Sequence, residues 1–451
     1  MTQRLTTEPI PGLIRKIAVP ASVGFFFNTM FNAVDTWYGG RISTQALAAL
    51  SLSLPVFFLI IATGSGLGAG TTALIATALG RGDQRKAEVF AAQGLSFGLS
   101  VSAVLTLLGL AASRPLFVSL GASGEYLRIC LIYMEVIFAG TLFFIVNYML
   151  SAILNALGDT KPFRNFLIAG CLLNLILDPW FIYGGFGLPP MQFAGIALAT
   201  ILIQAAGCLY LCVKVRQTPL MAACSLGRLR PRLAPYREIA RQGLPAAANL
   251  FTIGLGIFVI TYFVSGFGKE AVAAYGAAMR IEQILLLPTI GLSTATLTLV
   301  AQNSGAGLFA RMTETVRTAL FYGGAIALAG TGVLFLLAEP LMALFTADLA
   351  VIALGRSYLR ISAFILYAYV VLSVEVAALQ GIRKPLFALW IGLWRQIVAP
   401  AAVFWLITRM LGAGLTGIWW GIFGITWSAA VAAWFYARHE FKKAVSPETG
   451  E

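Results

Sequence analysis

Twelve apolar runs, each long enough to cross a bilayer, divide this chain from end to end: roughly 14–39, 47–79, 88–112, 127–155, 163–186, 192–215, 236–264, 271–302, 314–338, 357–380, 386–409 and 415–437. A helix rises about 1.5 Å per residue, so about 20 residues cross a hydrocarbon core of about 30 Å. Several runs are longer, and must tilt, bend or project beyond the membrane. Only 11% of the residues are charged and 59% are hydrophobic, whereas a soluble domain carries about a quarter charged residues. The fold class is therefore all-α integral membrane. The first run is no cleavable signal, since it is too long, contains Pro20 and Asp35, and lacks a small-residue cleavage site.

Lysine and arginine orient the bundle. Of 31 such residues, 22 fall in the tails and in the loops of one side, seven on the other side, and Arg280 and Arg395 within spans. The positive-inside rule puts both termini and the basic 216–241 stretch in the cytoplasm of a multi-pass protein of the cell (inner or plasma) membrane. The same rule explains the net charge of +13 without a nucleic-acid partner.

A gapless shift of 225 residues superposes Pro20 on Pro245, Ala46 on Ala271, Gly66-Leu67 on Gly291-Leu292, Thr71 on Thr296, Gly82 on Gly307 and Pro115-Leu116 on Pro340-Leu341. Each half holds six spans, so both enter the membrane in the same direction. Two lobes related by a pseudo-two-fold along the membrane normal follow, a plan suited to alternating access. The expected division is an N-terminal lobe 1–215, a cytoplasmic linker 216–235 and a C-terminal lobe 236–451.

Five acids lie within spans: Asp35, Glu135, Asp178, Glu282 and Glu375. A carboxylate costs roughly 3 kcal/mol or more at the centre of a bilayer, and usually faces a cavity or an ion pathway. Asp35 ends the first span in NTMFNAVDTWYGG, and Asp178 lies at comparable depth in the fifth, in LLNLILDPWFIYGG. Facing each other in low dielectric, they would not both stay ionised, so the pair would hold a proton that can leave. Asn174 stands one turn before Asp178 on the same face, and Asn28 stands two turns before Asp35. The bland alternative is that both acids are wet groups at helix ends. Glu135, near the outer entry of its span, is read as wet.

Glu282 is either a structural partner of Arg280 or functional, and Glu375 either functional or paired with Arg395. Pro20 marks a kink, static or hinged, because the freed carbonyl needs another partner. Phe25 to Phe27, Phe31, Trp37 and Tyr38 either line a pocket for aromatic cations or anchor the span in lipid.

Other chemistry finds little support. The cysteines (Cys130, Cys171, Cys208, Cys212 and Cys224) show no paired framework, and the single histidine, His439, lies in the tail. GSGLGAG at 64–70 follows no strand and has no Lys-Ser/Thr ending, so it reads as close helix packing. An intramembrane enzyme would need a constellation that is not seen.

VDTWYGGRISTQALAALSL, GLGAGTTALIATALGRGD, NALGDTKP, NLILDPWFIYGGFGLPPMQFAGIALAT and AAYGAAMRIEQILLLPTIGLSTATLTLVAQNSGAG together resemble the multidrug and toxic compound extrusion (MATE) transporters, nearest to the DinF-like branch. The resemblance implies twelve helices in two six-helix lobes that export organic, often cationic, amphiphiles in exchange for H+ or Na+. It implies that Asp35 is the coupling carboxylate, that Asn174, Asp178 and, as a weaker match, Thr200 are its partners, and that Asn28 takes a position often polar. Pro20 matches the family proline whose helix bends on protonation. No cofactor is expected, no metal beyond Na+ at Asp35, Asn174 and Asp178, and the protein is read as a monomer. The alternative is a lipid-linked precursor flippase of the same superfamily, which would need a wide cationic groove.

Overall fold

The computed structural model describes residues 4–185, 187–222 and 226–445; Cys224 lies outside them. A short helix α1 (Arg4–Thr7) precedes α2 (Ile10–Ile42), α3 (Thr44–Gly80), α4 (Gln84–Ser119), α5 (Gly124–Ala139), α6 (Thr141–Ala156), α7 (Lys161–Tyr183) and α8 (Phe193–Arg216). A 3-10 turn at Leu226–Leu229 leads to α9 (Leu233–Ser265), α10 (Lys269–Gly305), α11 (Phe309–Ala343), α12 (Leu349–Ser362) and α13 (Leu366–Gly381). The chain closes with α14 (Leu386–Leu393), α15 (Ala399–Leu406) and α16 (Gly414–Val445).

Counting each bent pair as one, the described residues form twelve spans. Eight are the single helices α2, α3, α4, α7, α8, α9, α10 and α11, and α16 is another. A further span, Leu386–Leu411, joins α14 and α15 through π-helical turns at Trp394–Val398 and Ile407–Leu411. The last two are the bent pairs α5–α6, broken by 44°, and α12–α13, broken by 51°.

Local chemistry starts and stops these helices. Ser43 Oγ accepts from the Ala46 N–H and Asp83 Oδ1 from the Lys86 N–H, filling donors that a helix start leaves open. Gly82 and Gly307, paired by the 225-residue shift, take φ of +74° and +71°, a region costly to residues with a Cβ. Both bent spans are the fourth of their half, and both are held alike. Thr106 Oγ1 donates to the Phe138 carbonyl at 2.8 Å, and Thr331 Oγ1 to the Ala363 carbonyl at 2.6 Å. The break frees a carbonyl, and a threonine of the preceding span supplies a donor.

Val23–Ala247 forms one compact unit, and the residues up to Ser22 together with those from Ala248 onward form the other. The chain thus changes unit inside α2 and α9, two residues past Pro20 and Pro245, and not in the 216–235 linker. Two glycines show why. At Gly66 a Cβ would lie 2.2 Å from the Ala247 nitrogen, and at Gly291 it would lie 2.2 Å from Ser22 Oγ and 2.3 Å from the Ala18 carbonyl. Each close approach holds the first part of one half's leading helix against the second helix of the other half.

The linker stays with the unit it leaves. Gln93 Nε2 donates to the Arg228 and Arg230 carbonyls at 2.7 and 2.9 Å, its Oε1 accepts from the Arg232 N–H at 2.9 Å, and Arg228 pairs with Glu88 at 2.6 Å.

Candidate functional site

Within the Val23–Ala247 unit, three helices bring polar side chains to one buried point: Asp35 from α2, Asn174 and Asp178 from α7, and Thr200 from α8. All four are buried, Asn174 and Asp178 completely. The α-helical period puts Asn174 and Asp178, four residues apart, on one face of α7. Pro179 follows at once inside the same helix. It has no N–H, so the Leu175 carbonyl loses its helical donor beside the cluster.

One amide joins the two acids. Asn174 Nδ2 donates to Asp35 Oδ1 at 2.9 Å and to Asp178 Oδ1 at 3.0 Å. Both of its hydrogens are thereby used. Thr200 Oγ1 has a single hydrogen and two acceptors, the Ile196 carbonyl at 3.0 Å and Asp35 Oδ2 at 3.4 Å. The shorter contact is its own helix, so Asp35 Oδ2 is weakly served. Asp178 Oδ2 and Asn174 Oδ1 are buried with no donor among the described residues. The cluster thus holds more acceptors than donors, and a buried acceptor without a donor costs about 1–3 kcal/mol. A proton on one carboxylate, or a small cation between them, would remedy this.

Among the described residues, none of the other expected ones hydrogen-bonds to these four. Asn28 lines a pocket of about 10 Å³ with Phe31, Gly170 and Gln204, room for about one water. Trp37 is 53% exposed beneath the Arg41 guanidinium, 4.4 Å from its ring centroid, and packs edge-on against the half-buried Tyr38. Pro20 is buried, and α2 runs through it unbroken.

In the other unit the structure corrects two pairings. Glu282 is not held by Arg280, which is exposed; the Tyr358 hydroxyl donates to Glu282 Oε2 at 2.9 Å. Arg395 does not pair with Glu375. Its guanidinium lies 5.3 Å from the centre of the Tyr369 ring, and it lines a cavity of about 250 Å³ together with Glu282. Glu375 is buried in α13 and does not line that cavity. Sequence reasoning missed the cavity; an arginine inside a span without a neighbouring acid was its one visible sign.

Comparison with known proteins gives the same repeat. The MatE family profile matches twice, over residues 20–180 and 245–405, starts that differ by the 225 residues of the internal shift. The chain is 26% identical over 429 residues to a probable multidrug resistance protein NorM of Thermotoga maritima, covering 93% of this chain and 90% of that one. It is 27% identical over 401 residues to an FAD transporter of Shewanella oneidensis, covering 87% of each. A solved outward-facing structure of a multidrug resistance MATE family transporter superposes with a TM-score of 0.92 at 26% identity, over 98% of both chains. With a matching profile over most of its length and the twelve-helix fold in place, the chain belongs to the MatE family of multi-pass membrane transporters.

Proposed function

We propose that this protein is a secondary active exporter of organic, often cationic, amphiphiles, working by alternating access and driven by H+ entering in exchange. Na+ is the second candidate for the coupling ion. The observation that carries the reading is the shortage of donors in the Asp35–Asn174–Asp178 cluster, buried within one half of a duplicated bundle. A proton on either carboxylate neutralises one charge and turns an acceptor into a donor. Its departure leaves two like charges around one amide, an arrangement that calls for a cation. Loading the site favours one conformation and weakens substrate binding, and release resets it, because an ion shifts an equilibrium only by its differential affinity for the two states. Pro20 lies on the helix that carries Asp35, two residues before the chain changes unit, and supplies the hinge in this scheme. In this reading the protein acts as a monomer in the cell membrane, and the lysine and arginine bias supports placing both termini in the cytoplasm.

The relatives' names favour drug export over lipid-linked precursor flipping. The test uses proteoliposomes loaded with ethidium, given first a pH gradient and then a Na+ gradient, with wild type and Asp35→Asn. Efflux driven by the pH gradient and lost in the variant is expected. A response to Na+ alone would change the ion, and unchanged coupling in Asp35→Asn would remove the proposed site.

A further inference from the structure

We propose that the cavity in the second half is a ligand subsite for small zwitterions, with an ammonium group at Glu282 and a carboxylate at Arg395. The inference rests on the export reading for its biological use and on this cavity's own geometry for its chemistry. All of its lining residues belong to the unit from Ala248 onward.

Glu282 is buried and held at one oxygen only. Tyr358 holds one of its oxygens at 2.9 Å, while Oε1 is buried with no donor among the described residues. Tyr275, Tyr358 and Tyr369 line the same space, and a carboxylate among aromatic rings suits an ammonium ion, which is drawn to both. The opposite charge arrives by a backbone device. The π-helical turn Trp394–Val398 interrupts an otherwise apolar span, and from it two consecutive residues, Arg395 and Gln396, both line the cavity. Such turns insert an extra residue and are frequent at functional sites. Arg395 forms no ion pair among the described residues and lies over the Tyr369 ring. A glutamate and an arginine therefore share one cavity without closing on each other. A buried carboxyl oxygen without a donor is costly, and a ligand carrying both signs would give Glu282 a donor and Arg395 a counter-charge, its apolar body against Leu286 and Phe404.

Three ligands with one skeleton separate the contributions: phenylalanine carries both charges, 2-phenylethylamine only the ammonium, and 3-phenylpropanoate only the carboxylate. Binding to purified protein in nanodiscs is measured by calorimetry at pH 8, without any ion gradient. Phenylalanine should bind at least tenfold more tightly than either singly charged ligand. Glu282→Gln should bring it down to the level of phenylpropanoate, and Arg395→Gln to that of phenylethylamine. Each variant's retained ligand shows that it is folded. Equal affinities for all three, a preference for phenylethylamine that Arg395→Gln leaves unchanged, or no binding of any would overturn the proposal. Because no gradient is applied, failure here leaves the first-half coupling reading standing, and failure of gradient-driven efflux leaves this one standing.

Discussion

The half that holds Asp35 keeps its polar atoms within hydrogen-bond reach of one another, while the half that holds Glu282 spreads them around a cavity of about 250 Å³. Both are built on one backbone plan. The threonine-held bend of the fourth span recurs in the tenth, and the glycine that admits a crossing helix recurs as Gly66 and Gly291. The acids do not recur: the residue 225 positions after Asp35 is Ile260, and the one 225 before Glu282 is Phe57. Duplication has thus preserved the frame and let the contents diverge. A small closed cluster suits an ion, and a roomier cavity suits an organic molecule.

The largest effect that would break this contrast concerns coupling. Asp35→Asn and Asp178→Asn should each reduce pH-gradient-driven efflux roughly tenfold or more, on the scale of ordinary coupling free energies; dye efflux from proteoliposomes reads it. Next come the shared glycines. Gly66→Val and Gly291→Val each drive a branched side chain into backbone atoms a little over 2 Å away, and should cost about 3 kcal/mol or more. Equal loss of folded protein in size-exclusion profiles would support a shared frame, and loss in only one would break it.

Tyr358→Phe takes away the only donor to the Glu282 carboxyl among the described residues and should cost about 1–3 kcal/mol, read as a lowered melting temperature in detergent. The smallest effect belongs to the bends. Thr106→Val and Thr331→Val each remove one interhelical hydrogen bond, worth about 0.6 kcal/mol inside a membrane, and the two melting shifts should be alike.

Much of this was legible in the sequence, for physical reasons. Span number follows from apolar run length, and the duplication survives in glycines and prolines whose backbone demands no other residue meets. The meeting of Asp35, Asn174 and Asp178 was legible because i,i+4 spacing fixes a helix face and similar depth puts two acids level. Thr200 came only through the resemblance, since a threonine in an apolar span carries no signal of its own. The exchange of Pro20 and Pro245 helix starts between the two units was not legible, because hydropathy says that a helix is buried without saying against what. The pairings suggested for Glu282 and Glu375 failed for a related reason: neither nearness in sequence nor a place on neighbouring spans makes two side chains point at each other. Arg280 lies two residues before Glu282 and is exposed while Glu282 is buried. Nor does composition announce a π-helical turn, so the placing of both Arg395 and Gln396 on the cavity could not be foreseen.

The most direct test of the central claim is proton release on substrate binding, measured with purified protein in weakly buffered detergent solution containing a pH indicator, as ethidium is added. If the first-half cluster holds the coupling proton, linkage requires substrate to expel it. Wild type should release on the order of one proton per bound dye, and Asp35→Asn should bind dye with no release. Release of the same size from Asp35→Asn would contradict the account and place the proton elsewhere.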